Sequence, residues 1–129
     1  MEINEMAQNV YDYAEKQGFH ETPFNFGEAL MLIVSELGEA IAAHRRGRLC
    51  GHPEALENLN PEEALEKDTQ KFKHIYEHFV KGTVEEEIAD ALLRIGNLAV
   101  RLGMDLDWHC RAKMCFNTTR PFKHETLYG

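Results

Sequence analysis

Two pairs of acidic residues, each with a spacing of three, lie within apolar stretches of the sequence. The first pair is Glu36 and Glu39, and the second is Glu87 and Asp90. Residues three apart on an α-helix are separated by about 60°, so each pair presents its carboxylates on one face. Four converging carboxylates in a poorly solvated place repel one another, and a divalent cation would neutralise them. Because all-oxygen ligands favour hard ions, the pattern predicts a site for Mg²⁺, with Mn²⁺ as a substitute.

The surroundings of the acidic pairs strengthen this prediction. One such pair alone carries little information, because glutamate is a common helix former and E-x-x-E is also typical of a solvated helix face. Between residues 26 and 43, however, the only charged residues besides Glu28 are Glu36 and Glu39. A helix that is apolar around its whole circumference is expected to be central. We therefore predict that both pairs lie on central helices.

Positive charge is concentrated towards the end of the chain. From residue 108 to residue 124 there is no Asp or Glu, and the basic residues are Arg111, Lys113, Arg120 and Lys123. Lys113 and Asn117 are four residues apart and Arg120 follows three later, so on one helix they point in a common direction. This arrangement suits the binding of phosphate groups. The alternative is that these side chains only complement a helix C-terminus or a neighbouring helix.

Apolar periodicity and capping residues predict five helices and no strand. The predicted helices begin near Ile3, after Asn25, at Pro61, after the capping box of Thr83 and Glu86, and near Asp105; they end near Gly18, Gly47, Val80, Leu102 and Thr118. The predicted fold is an all-α, four- to five-helix bundle. An extra helical insertion, about residues 47–82, separates the two acidic helices.

Length and composition set the class of protein. The 129 residues predict a single domain over residues 1–129. A net charge of −8 argues against nucleic acid as a partner. Three cysteines without C-x-x-C spacing predict no disulfide framework and favour a cytoplasmic protein. No signal peptide and no membrane-spanning stretch are visible in the sequence, so no membrane partner is expected.

Three segments together resemble the MazG-like all-α nucleoside triphosphate pyrophosphohydrolases. They are SELGEA at 35–40, EEIADA at 86–91 and KMCFNTTRP at 113–121, and the likeness extends over about residues 24–124. The resemblance implies a homodimeric or homotetrameric enzyme. With Mg²⁺, such an enzyme cleaves a nucleoside triphosphate between the α and β phosphates to give a monophosphate and pyrophosphate.

The resemblance also implies roles for individual residues. The metal would be held by Glu36, Glu39, Glu87 and Asp90, and phosphate by Lys113, Asn117 and Arg120, which can come from a neighbouring subunit. Glu36 or Glu39 would accept the proton from the attacking water. Many relatives have another acid where this chain has Ser35, which leaves the identity of the general base open.

Further contacts to the nucleotide rest on single residues. Arg94 follows Asp90 by one helical turn and could reach phosphate, although a plain surface arginine is an equal alternative. Candidates to stack on the base are His20, Phe24, Phe26 and Trp108, with a core role as the alternative.

Two other functions remain open at this point. Residues 74–78 match H-x-x-E-H, a zinc-hydrolase signature with His74 and His78 on one helical face, but no obvious third ligand accompanies them. The second alternative is a non-catalytic helical bundle that binds a nucleotide or a protein partner.

Overall fold

The computed structural model describes residues 1–121 and is all-helical, which confirms the predicted fold class. No strand occurs in that range. A short 3-10 helix occupies Glu54–Leu56. The α-helices are α1 (Ile3–Lys16), α2 (Phe26–Arg45), α3 (Pro61–Lys67), α4 (Thr69–Phe79), α5 (Val84–Arg101) and α6 (Leu106–Thr118). None of them is both long and apolar enough to cross a lipid bilayer.

Side-chain caps fix the helix starts that the sequence predicts. The side chain of Asn25 accepts a hydrogen bond from the backbone N–H of Glu28 at 2.9 Å, and Asp105 accepts one from Trp108 at 3.0 Å. The backbone N–H of Glu86 donates to the Thr83 hydroxyl at 3.2 Å. Each bond satisfies an N–H that the first helical turn leaves without a partner.

The predicted single helix over residues 61–80 is wrong, because the chain breaks at Asp68. The backbone of Asp68 is extended, with φ −157° and ψ 91°, and its side chain accepts from the N–H of Lys71 at 3.0 Å. Aspartate bonds readily to backbone groups two or three residues ahead, so it caps a new helix here in place of continuing the old one. As a result α3 and α4 are separate helices that pack against each other.

The chain forms two compact units, and α5 contributes to both. The first unit contains Met1–Phe24 and the chain from Ile95 onward. In it, α1 approaches α5 closely: a Cβ placed on Gly96 would lie 3.1 Å from the Cα of Ala7. Asn4 accepts from the backbone N–H of Asp107 at 2.9 Å, which fastens α1 to the start of α6.

The second unit, Asn25–Arg94, contains both acidic pairs, and in this single chain its helix α2 is not central as predicted. Only Ile33, Ala40 and Ala43 of α2 are buried. Its exposed apolar side chains are Phe26, Leu30, Met31, Leu32, Val34, Leu37 and Ile41. An all-round apolar helix needs neighbours on every side, and residues 1–121 of one copy do not supply them.

Candidate metal centre

Three of the four predicted metal ligands come together. Glu36 and Glu39 on α2 and Glu87 on α5 each offer a carboxylate oxygen, and these oxygens all lie within 4.8 Å of one another. We call these three residues the acidic cluster. Glu87 is buried with 8% exposure, Glu36 is half-buried and Glu39 is exposed. One side of the cluster is therefore open to solvent.

Helix starts and spacing bring these carboxylates together. The capping box after Gly82 fixes where α5 begins, and this places Glu87 in its first turns, near the positive end of the helix dipole. On α2 the three-residue spacing aligns Glu36 with Glu39. The local sequence thus accounts for the face on which each carboxylate lies.

Crowding perturbs the acidity of Glu87. Desolvation is the main cause that raises the pKa of its carboxyl group, and hydrogen bonding to Glu36 and the negative charges of Glu39, Glu36 and Asp90 act in the same direction. Together they bring the pKa to about 7. Near neutral pH the acidic cluster therefore retains a proton unless a cation takes its place.

Asp90, the fourth predicted ligand, lies outside the group of oxygens within 4.8 Å. It is half-buried, and its pKa is raised by desolvation and then by the charges of Glu36 and Glu86. Asp90 therefore experiences the negative charge of the cluster, although its carboxylate is not one of the three that lie together.

Arg94 is the counter-ion of the acidic cluster. Its Nε donates to Oε1 of Glu36 at 3.1 Å, and its positive charge partly offsets the rise in the pKa of Asp90. The sequence suggested a phosphate contact for Arg94, whereas the structure pairs it with Glu36. Its side chain is 44% exposed, so the guanidinium group also faces solvent.

One residue near the cluster was missed at the sequence level. The hydroxyl of Tyr76 on α4 donates to Oε2 of Glu86 at 2.5 Å, while Oε1 of Glu86 accepts from the N–H of Gly82 at 2.8 Å. Burial, the bond to Glu86 and the nearby acids raise the pKa of Tyr76 well above its usual value. Tyr76 belongs to the apolar stripe of its helix, so only the contact between α4 and α5 reveals its role.

Apart from Arg94, the predicted phosphate ligands belong to the first unit. Lys113 and Asn117 are exposed on α6, and the Lys113 ammonium lies 5.3 Å from the ring centroid of Phe116. Because α6 ends at Thr118, Arg120 follows the helix and does not continue its face. Lys123 lies outside the described residues.

The four aromatic residues predicted to bind a base differ in their contacts and exposure. The His20 side chain is 8% exposed; Nδ1 bonds to Glu15 at 2.6 Å and Nε2 to Asn97 at 3.1 Å. The Arg101 guanidinium covers the ring of Phe24 at 4.3 Å. Trp108 on α6 and Phe26 at the start of α2 are exposed. His20 is therefore a half-buried residue whose imidazole has a partner on each ring nitrogen.

The H-x-x-E-H segment on α4 has no metal-binding neighbours in the described part of the chain. Within residues 1–121, the acidic cluster is the one group of three or more potential ligands. His78 instead packs edge-on against Phe79, with ring centroids 4.6 Å apart. The geometry does not support a zinc site formed by His74 and His78.

No family model, curated protein or solved structure matches this chain. The likeness to the MazG-like family therefore stays a prediction that rests on the three sequence segments.

Proposed function

We propose that this protein belongs to the MazG-like family and hydrolyses a nucleoside triphosphate between the α and β phosphates. The products are the nucleoside monophosphate and pyrophosphate. The observation that carries the proposal is the acidic cluster, in which Glu36, Glu39 and Glu87 bring oxygens within 4.8 Å of one another. Such a group holds either a proton or a cation near neutral pH.

The residues of the cluster fit Mg²⁺. All donors are carboxylate oxygens, the ligand type that Mg²⁺ prefers. Mg²⁺ binds oxygen at about 2.1 Å, so ligand oxygens on opposite sides of the ion lie about 4.2 Å apart. The oxygens of the cluster lie within 4.8 Å of one another, which is close to this separation. When bound, Mg²⁺ would polarise phosphoryl oxygens and make a coordinated water more acidic.

The two carboxylates of α2 have different tasks in this proposal. Glu36 already accepts a hydrogen bond from Arg94, whereas Glu39 is exposed and has no such partner among the described residues. We therefore assign acceptance of the proton from the attacking water to Glu39. Arg94, released from Glu36, would stabilise negative charge on the phosphates.

We further propose that the enzyme is a homodimer or homotetramer. A helix of 20 residues such as α2 is about 30 Å long, and most of its large apolar side chains are exposed in one chain. A second copy would remove this surface from water. In the assembly, Lys113, Asn117 and Arg120 would bind the phosphates, from the same copy or the neighbouring one. Light scattering coupled to gel filtration tests this, because a particle of 14.9 kDa would contradict it.

A pyrophosphate-release assay tests the activity. The full chain is incubated with Mg²⁺ and each of a panel of ribo- and deoxyribonucleoside triphosphates. Glu39→Gln should abolish release, whereas Glu28→Gln, an exposed carboxylate on the same helix, should leave it unchanged. If no nucleotide gives more pyrophosphate than the Glu39→Gln variant, the chain is not this enzyme. Phosphate as the product would contradict the position of cleavage.

A further inference from the structure

Three consecutive glutamates at the start of α5 have three different sets of partners. The Glu85 carboxylate accepts hydrogen bonds from the backbone N–H groups of Cys50 and Gly51, each at 2.9 Å. Glu86 accepts from α4 and from the turn that follows it, and Glu87 belongs to the acidic cluster. Successive residues of an α-helix differ in direction by about 100°, so each glutamate contacts a neighbour on a different side of α5. Only one rotation of α5 about its axis satisfies all three contacts.

Tyr76 joins α4 to this part of α5. Its backbone C=O accepts from the N–H groups of Val80 and Lys81 at 2.8 and 3.0 Å, which closes the last turn of α4, and its hydroxyl donates to Glu86 at 2.5 Å. The hydroxyl of Thr83 donates to the C=O of Val80 at 2.6 Å and accepts from the N–H of Glu86 at 3.2 Å. The end of the insertion and the start of the second acidic helix are therefore held together by several hydrogen bonds.

The residues that Glu87 faces oppose this arrangement. Once Glu87 is ionised, the charges of Glu36 and Glu39 repel it, and a rotation of α5 that turns Glu87 away from α2 would relieve the repulsion. Such a rotation would break the hydrogen bonds of Glu85 and Glu86, which lie on other sides of α5. Well-satisfied contacts thus keep a repulsive group in place beside them, as is typical of functional sites.

We propose that Tyr76 and Glu85 are positioning residues that hold Glu87 towards Glu36 and Glu39, so that the three can share one cation. Tyr76 acts through Glu86, and Glu85 acts through the loop that follows α2. Neither side chain is among the three that offer an oxygen to the ion. The inference rests on the proposed function, because it concerns the same metal site, and it gives the insertion the task of orienting α5.

Mn²⁺ binding by the full chain, followed by electron paramagnetic resonance, tests the proposal without any nucleotide. Tyr76→Phe and Glu85→Gln should each weaken Mn²⁺ binding by about tenfold, an effect typical of residues that orient metal ligands. The matched controls Tyr13→Phe and Glu66→Gln change an exposed tyrosine and an exposed glutamate elsewhere, and they should leave the affinity unchanged. Native affinity in Tyr76→Phe or in Glu85→Gln overturns the assignment of that residue.

A double-mutant cycle separates positioning from a general loss of structure. A residue that acts through Glu87 has little effect once that carboxylate is gone, so Tyr76→Phe should change Mn²⁺ affinity by less than about twofold in the Glu87→Gln background. A tenfold loss in both backgrounds would show that Tyr76 only maintains the fold. The relaxation rate of water protons should also rise in Tyr76→Phe, because water would replace the Glu87 oxygen on Mn²⁺. An unchanged rate would contradict the positioning role.

The outcomes also distinguish this inference from the proposed function. If the native chain does not bind Mn²⁺ at millimolar concentration, the metal site and the proposed hydrolysis both fail. If the native chain and the variants bind Mn²⁺ equally, only the positioning role fails. Tenfold losses in the variants, without pyrophosphate release from any nucleotide by the native chain, would support the positioning role and reject the proposed reaction.

Discussion

The acidic cluster and the surroundings of His20 each contain a buried side chain with an ionisable group. The neighbours of the His20 ring are complementary to it, whereas those of the Glu87 carboxyl group repel it. His20 has a carboxylate on one ring nitrogen, an amide on the other and the ring of Tyr11 stacked 4.5 Å away. Glu87 is desolvated and surrounded by groups of its own sign, and together these raise its pKa to about 7. A buried group with complementary partners stabilises the fold, whereas a buried group crowded by like charges is typical of functional sites.

The largest difference between the two regions is expected for the substitution Glu87→Gln in the acidic cluster. The substitution should reduce pyrophosphate release by more than about 100-fold, because it removes a metal ligand, while it raises the melting temperature of the metal-free protein by relieving repulsion. Differential scanning calorimetry and the release assay measure both effects. A lower melting temperature would show that Glu87 makes a stabilising hydrogen bond and would remove the contrast with His20.

His20→Ala should have the reverse effect. It removes a buried ring with two hydrogen bonds and a stacking contact, so the free energy of unfolding should fall by about 2 kcal/mol. His109→Ala is the control, because His109 is exposed on α6. Urea denaturation measures both variants, and Mg²⁺ should still stabilise His20→Ala. If the two variants lost the same free energy of unfolding, the buried contacts of His20 would contribute nothing to stability.

The pH dependence of cation binding tests whether the crowded carboxyl group of Glu87 holds a proton. A carboxyl group whose pKa is raised in the folded chain favours folding below its ordinary pKa, and this contribution is lost as the pH rises towards 7. A cation must displace the same proton, so Mn²⁺ affinity should rise by about tenfold between pH 6 and pH 8. Titration followed by electron paramagnetic resonance measures this. Glu87→Gln should flatten the profile, and a profile as steep as that of the native chain would assign the proton to another group.

The smallest effect is expected at Arg94. Its ion pair with Glu36 is half exposed, and such pairs contribute little to stability, so Arg94→Ala should lower the free energy of unfolding by less than about 1 kcal/mol. Because Arg94 competes with the cation for Glu36, its removal should strengthen Mn²⁺ binding by about threefold. Arg111→Ala, which breaks the exposed pair with Asp107 on α6, is the control. Weaker Mn²⁺ binding in Arg94→Ala would show that the arginine positions Glu36 for the ion.

The sequence predicted the helix starts that depend only on residues next to one another in the chain. Asn25, Thr83 and Asp105 cap helices as expected, because a cap needs only a suitable side chain and the next few backbone N–H groups. The cap at Asp68 was overlooked because it lies within a continuous apolar stripe. Capping and periodicity compete there, and the cap prevails.

Contacts between distant segments were harder to predict. The spacing of the acids predicted that Glu36, Glu39, Glu87 and Asp90 would converge, and the structure brings the first three together without Asp90. The spacing did not predict that Arg94 would bond to Glu36 or Tyr76 to Glu86. Those bonds depend on how two helices pack. Periodicity likewise showed that α2 is apolar all round without showing what covers it.

Gly96 limits how the first unit can change during evolution. At that position α1 and α5 are so close that a methyl group would lie 3.1 Å from both the Cα of Ala7 and the Sδ of Met6, so the backbone of α1 would have to shift slightly to admit it. In a saturation library, position 96 should therefore favour glycine, with alanine next and larger residues depleted in proportion to their volume.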